Sequence, residues 1–341
     1  MKRGLLVIGL VALTFTASSV FAQDKAGTSA APELLIPVGA KYEGMAGSAN
    51  AFVTGVDAIY WNPAGLDMDN GSGGALFSYR QYIANMGVSY LAIGGKLGFG
   101  SLAISLRSFN IGTIYVTTED HPDGTGEQIS PTFFIGGLTY SKKLTDRISV
   151  GANINLINES FGSVSSSGVG FDVGVQYEDL IGVQGLGLGV DVKNIGTEMR
   201  YDGSGLWVQA TDPNAGVGLS YYKLVAASFQ LPSVIEIGLG YKRALDEQNS
   251  LEIAGMFQNN NFGIDEYRAG LEYSFMSTIY VRGGYIFSTD QSGVQSIFQN
   301  YTIGAGVDLT KVAGIGLSFN YAFVPVKYFS SNHLFDLRVA F

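Results

Sequence analysis

Residues 301–309 read Tyr-Thr-Ile-Gly-Ala-Gly-Val-Asp-Leu, and residues 334–341 read Leu-Phe-Asp-Leu-Arg-Val-Ala-Phe. In the first stretch Tyr301, Ile303, Ala305, Val307 and Leu309 alternate with Thr302, Gly304, Gly306 and Asp308. In the second, Phe335, Leu337, Val339 and Phe341 alternate with Asp336, Arg338 and Ala340, and between the two Ile315, Leu317, Phe319, Tyr321 and Phe323 alternate with Gly316, Ser318, Asn320 and Ala322. A strand sends successive side chains to opposite faces, so one apolar face and one small or polar face describe a wall with lipid on one side. A helix would not put glycine at every second position.

The pattern recurs upstream. Ile148, Val150, Ala152, Ile154 and Leu156 oppose Ser149, Gly151, Asn153 and Asn155, and similar runs cover 167–177, 185–195 and 265–274. About fourteen such segments extend from 74–83 to 333–341, an even number, as a single-chain bacterial outer-membrane barrel requires. The predicted fold is all-β, a transmembrane antiparallel barrel. Connections alternate between brief turns such as Leu97-Gly98 and longer loops such as 110–130, 158–166 and 196–231, with short exceptions at Ala84-Asn85 and 260–264. Gly216–Lys223 also alternates, but a fifteenth strand would leave the C-terminus on the wrong side, so it is assigned to the 196–231 loop.

Composition agrees with a barrel. Hydrophobic residues make up 46% of the chain and charged residues only 14%, where a soluble domain carries about a quarter charged. Past the N-terminus no apolar run reaches the ~18 residues of a spanning helix, which leaves the closed barrel as the structure a bilayer permits. Met1-Lys2-Arg3, an apolar run to Phe15 and the small residues ending at Ala22 predict a signal peptide over residues 1–22, cleaved near Ala22. Its loss takes the net charge from −9 to −11 with Lys2 and Arg3, which argues against nucleic acid as a partner. The chain has no cysteine and two distant histidines, His121 and His333, so thiolate chemistry, an imidazole metal cluster and a serine-histidine pair lack their material. No cofactor or enzymatic activity is expected, and the acidic loop 117–128 matches no ordered calcium loop.

Residues 23–73 do not alternate, and a barrel of fourteen strands has a lumen too wide for its own side chains to fill. This segment is predicted to be a linker and plug, and residues 74–341 the barrel. Within it stands Tyr60-Trp61-Asn62-Pro63-Ala64-Gly65-Leu66. Asn62 before Pro63 predicts a cap followed by proline at the first helical position. Gly65 is expected to end or tighten the turn, and Tyr60 and Trp61 to be anchors whose polar tips find partners in the lumen.

Residues 38–66, "VGAKYEGMAGSANAFVTGVDAIYWNPAGL", resemble the N-terminal signature of the PorV/PorQ family of outer-membrane proteins and, through "NPAGL", the plug of FadL-type long-chain fatty acid transporters. The first resemblance implies a non-enzymatic component of type IX protein secretion or cargo attachment, with the translocon and cargo C-terminal domains as partners. The alternative implies a passive channel for fatty acids or other hydrophobic compounds. Both imply about fourteen strands, a plug, and outer-membrane lipid around the wall of a Gram-negative-type cell.

The remaining candidates are inward-facing charges and one loop. Arg107, Asp172, Asp191, Glu236, Arg268, Glu272, Arg282 and Asp308 fall on the polar face of their strands, where they line a polar route or pair to brace the wall. Trp207, Tyr221, Tyr222 and Phe229 make the 196–231 loop apolar for a solvent-facing connection, so that it either caps the barrel or presents a surface for a partner or an apolar ligand.

Overall fold

The computed structural model describes residues 27–69, 71–211, 219–288, 298–310, 314 and 316–341. The predicted signal peptide lies outside the described residues. The fold is a closed antiparallel barrel of fourteen strands: β1 (Gly73–Gln81), β2 (Gly87–Leu97), β3 (Gly100–Asn110), β4 (Thr132–Lys143), β5 (Ile148–Phe161), β6 (Val164–Tyr177), β7 (Leu186–Gly196), β8 (Val234–Ala244), β9 (Ser250–Asn260), β10 (Glu266–Phe275), β11 (Ile279–Ser288), β12 (Tyr301–Asp308), β13 (Leu317–Val324) and β14 (Asn332–Ala340). Each strand pairs with its neighbours in sequence, and β1 pairs with β14 to close the ring, Ala75 opposite Val339 and Phe77 opposite Leu337.

The period of two seen in the sequence becomes two surfaces. In β3, Ser101, Ala103, Ser105, Arg107 and Phe109 are buried inside, while Ile104 and Leu106 are exposed outside. The outward side chains, among them Phe77, Leu91, Ile154, Phe171, Ile237, Ile303, Phe319 and Phe335, form an apolar band around the wall, the surface a hydrocarbon solvent demands. No helix among the described residues is long and apolar enough to cross a membrane.

The β5–β6 connection differs from expectation. The 158–166 loop is instead strand almost throughout, because β5 runs to Phe161 and β6 starts at Val164. Its polar residues belong to a hairpin that continues pairing, Glu159 opposite Ser166 and Phe161 opposite Val164, so loss of the apolar pattern marks the end of the band rather than of the strands. Asp202–Gly203 adds a short rung beside Val164 and Ser165. Leu219–Lys223 is extended as its alternation suggests, but pairs with Trp207–Thr211 in a separate two-stranded ribbon outside the wall.

Inside the ring sits the segment preceding β1. It is made of short turns, Pro32–Leu35, Ala40–Glu43, Gly55–Asp57, Ala58–Trp61 and Pro63–Met68, and nearly all of residues 38–68 are buried. Backbone meets backbone where it touches the wall. A Cβ at Gly151 would overlap the Pro63 carbonyl, one at Gly189 the Asn50 carbonyl, and one at Gly284 the backbone of Met45 and Ala46. These inward glycines are therefore the seat of the segment as well as one face of the alternation.

Candidate functional site

The Tyr60–Leu66 motif forms the junction between segment and wall. Asn62 is extended and its Oδ1 accepts from the Ala64 N–H at 3.1 Å, while Pro63 opens the 3-10 turn Pro63–Met68. The Asn62 amide also donates to the carbonyls of Asn50 at 2.9 Å and Val175 at 3.2 Å, tying two parts of the segment to β6. The Ala64 carbonyl accepts from Ser141 and Ser149 of β4 and β5, and Leu66 is buried. Gly65 tightens the turn rather than ending it, since the turn runs on to Met68, and glycine is needed there because a side chain would strike the Val53 carbonyl. One expectation fails locally. Trp61 is 2% exposed but its indole N–H has no hydrogen-bond partner among the described residues, so it fills space against Tyr60 and Tyr42 rather than bonding at its tip.

Tyr60 lies under two cations, with the Arg107 guanidinium 4.8 Å and the Lys193 ammonium 5.2 Å from its ring centroid. Lys193 pairs with Glu236 at 2.7 Å and Asp191 at 3.3 Å, and Asn50 donates to Asp191 at 3.0 Å. Asp172 accepts from Asn153, Asn155 and the Asn194 N–H, at a register shift in the β6–β7 pairing between Phe171 and Val173. Together with Arg268, these residues bring Arg107, Asp172 and Glu236 around a small inner chamber of about 40 Å³. Asp191 stands behind it, bonded to Lys193 and Asn50.

The other predicted charges are not in this chamber. Arg282 pairs with Glu272 at 2.6 Å and donates to Asn320, lower on the wall. Asp308 ends β12 and its carboxylate accepts from the Thr310 N–H, so it caps a turn. Arg268, which does line the chamber, pairs with Glu266 at 2.7 Å. Sequence reasoning missed the plug-side partners: Glu43 holds Arg80 at 3.0 Å, and Asp57 and Asp69 hold Arg338 of β14 at 3.3 and 2.9 Å.

A second chamber, of about 280 Å³, lies at the loop end between residues 32–36 and the ends of β2, β3 and β4. Ile36, Met86, Val88, Phe109 and Phe133 line it, and Glu33 is its one charged lining residue. It stands one inward position beyond the inner chamber on three strands: Val88 precedes Tyr90, Phe109 follows Arg107 and Phe133 precedes Ile135. Residues 32–37 run between the two, with Arg107 donating to the Glu33 and Leu34 carbonyls and Arg80 to that of Pro37. The sequence signal was a defect in alternation, since apolar Val88, Phe109 and Phe133 cluster at inward positions of neighbouring strands where small or polar residues are expected.

The ribbon carries Trp207, Tyr221 and Tyr222, all exposed, and the neighbouring Phe229 is 43% exposed and bridged to Met199. They stand apart from both chambers. Among the described residues no group of three or more His, Cys, Asp or Glu could hold a metal.

No family model matches the chain, and no curated protein does so either. Solved structures share its architecture. The Ralstonia pickettii toluene transporter TbuX superposes with a TM-score of 0.57 at 12% identity, covering 89% of this chain and 98% of that one. The CymD monoaromatic hydrocarbon channel gives 0.55 at 13% identity over 90% and 97%, and a Pseudomonas aeruginosa FadL homologue 0.54 at 12% over 89% and 98%. At these identities the likeness is one of fold, a FadL-like barrel.

Proposed function

We propose that the chain is a non-enzymatic, passive channel for small hydrophobic compounds in a bacterial outer membrane, with residues 1–22 removed on export, 23–73 as plug and 74–341 as barrel. One observation carries this reading: an apolar chamber of about 280 Å³ at the loop end of the lumen, closed below by the segment that fills the barrel. Concave, mostly apolar sites with few polar groups suit small hydrophobic ligands. The structural relatives named as hydrocarbon channels support the same ligand class. The chamber lining has no Arg, Lys or His, so an uncharged hydrophobe suits it better than a fatty acid carboxylate, whose charge would be stripped of water with no cation to meet it. The test is uptake of toluene by liposomes carrying the purified protein. Flux above protein-free vesicles is expected, and flux equal to them defeats the reading.

The secretion role implied by the resemblance of residues 38–66 stands as a second reading on a separate observation, the exposed ribbon with Trp207 at 52% and Tyr221 at 67%, an apolar surface suited to a protein partner. Affinity purification from the native membrane that recovers neither a translocon nor a secreted cargo domain removes it.

A further inference from the structure

Glu33, at the floor of the outer chamber, is 4% exposed, and among the described residues neither of its carboxylate oxygens makes a hydrogen bond. A buried acceptor left without a donor is costly, so its surroundings decide its state. Glu159 on β5, directly opposite the chamber-lining Phe133 and itself 3% exposed, is the carboxyl group on this side of the chamber. The Tyr201 hydroxyl, from the loop after β7, donates to Glu159 Oε2 at 2.6 Å. The cation on this side is Arg107 of β3, whose NH1 group is directed at the Glu33 and Leu34 carbonyls rather than at the carboxylate. Two ionised carboxylates are acceptors only and repel each other; one proton between them turns one into a donor and removes both penalties.

We propose that Glu33 and Glu159 share a single proton, and that this shared proton latches residues 32–37 to the wall between the outer and inner chambers. Its meaning as a gate rests on the channel reading. Burial and the charge of Glu159 raise the Glu33 carboxyl from 4.5 to about 8, with the nearby backbone N–H of Glu33 itself and, less, Arg107 acting the other way. A folded value above the unfolded one means that the latch contributes fully below the ordinary carboxyl range and is lost as pH rises through about 8. Loss of the proton leaves two facing charges in a poorly hydrated site, which releases the floor of the outer chamber.

The absence of native cysteine allows a direct test. Leu34→Cys places a thiol on the buried face of the latch, and Glu119→Cys, in an exposed loop, corrects for thiol ionisation. Maleimide labelling of the full-length protein in liposomes is compared at about pH 6 and about pH 9, and the Leu34→Cys rate relative to the control is expected to rise about tenfold or more. Adding Glu33→Gln supplies an amide donor to Glu159 and is expected to keep labelling slow at both values. Glu159→Gln serves the same purpose should Glu33→Gln not assemble, with heat-modifiable electrophoretic migration as the check on folding. A flat ratio, or a rise that persists in both amide variants, overturns the latch. Toluene flux in the same vesicles separates the two ideas: a rising ratio without flux defeats the channel and leaves the latch, whereas flux with a flat ratio defeats only the latch.

Discussion

The two chambers are stacked in one lumen and share three strands, yet they are built from opposite chemistries. The inner one is small, with Arg107, Lys193, Asp172 and Glu236 around Tyr60, where Lys193 is paired with Glu236 and Asp172 accepts from Asn153 and Asn155. The outer one is several times larger and nearly all apolar. The step from one to the other is a single inward position, Arg107 to Phe109 on β3. The contrast teaches that the barrel separates holding from receiving. The inner ion pairs and hydrogen bonds anchor the segment, while the outer surface has little to offer except contact with an apolar molecule.

Substitutions on either side should therefore give different phenotypes. The largest effect is expected for Trp61→Ala, which removes a fully buried ring and costs about 3–5 kcal/mol of segment seating. Liposome swelling should show faster entry of small hydrophilic sugars, with barrel migration on gels unchanged; unaltered swelling with failed assembly would make the motif a folding element instead. Next, Gly284→Ala forces a methyl into the Met45–Ala46 backbone, an overpacking cost of about 1–3 kcal/mol. The segment should become sensitive to protease while the wall stays resistant. Phe109→Ser changes the outer chamber alone, and a loss of about 1.4 kcal/mol there lowers toluene uptake about tenfold without a hydrophilic leak. A leak of sugars in this variant would erase the distinction between the chambers. The smallest effect is expected for Asn62→Ala, about 1 kcal/mol for the lost cap, read as a modest rise in swelling rate.

How much of this was legible beforehand follows the physics. The wall was readable because every strand repeats one constraint, lipid outside and lumen inside, and the fourteen segments between 74–83 and 333–341 fall on the fourteen strands. The Asn62-Pro63 cap was readable because it is local, residue to next residue. What escaped were pairings across the lumen. Arg80 with Glu43 and Arg338 with Asp57 join residues 37 and 281 positions apart, and no periodicity encodes which plug carboxylate meets which wall cation. Glu33 carries no signal of its own within the stretch 23–73, and only its enclosure beside Glu159 gives it meaning. The 158–166 hairpin was misread as loop for a related reason: polarity reports where lipid ends, whereas strand pairing continues beyond it.

Arg338 gives the ring a mechanical property. Every other pair of neighbouring strands is consecutive in the chain, so β1 and β14 alone meet without a connecting hairpin. At that seam Arg338 of β14 grips Asp57 and Asp69, and the Phe341 carbonyl receives the N–H groups of Ser72 and Gly73. The segment in the lumen thus acts as a clasp drawn from inside across the join, and strain that lifts it will be felt first where the first and last strands touch.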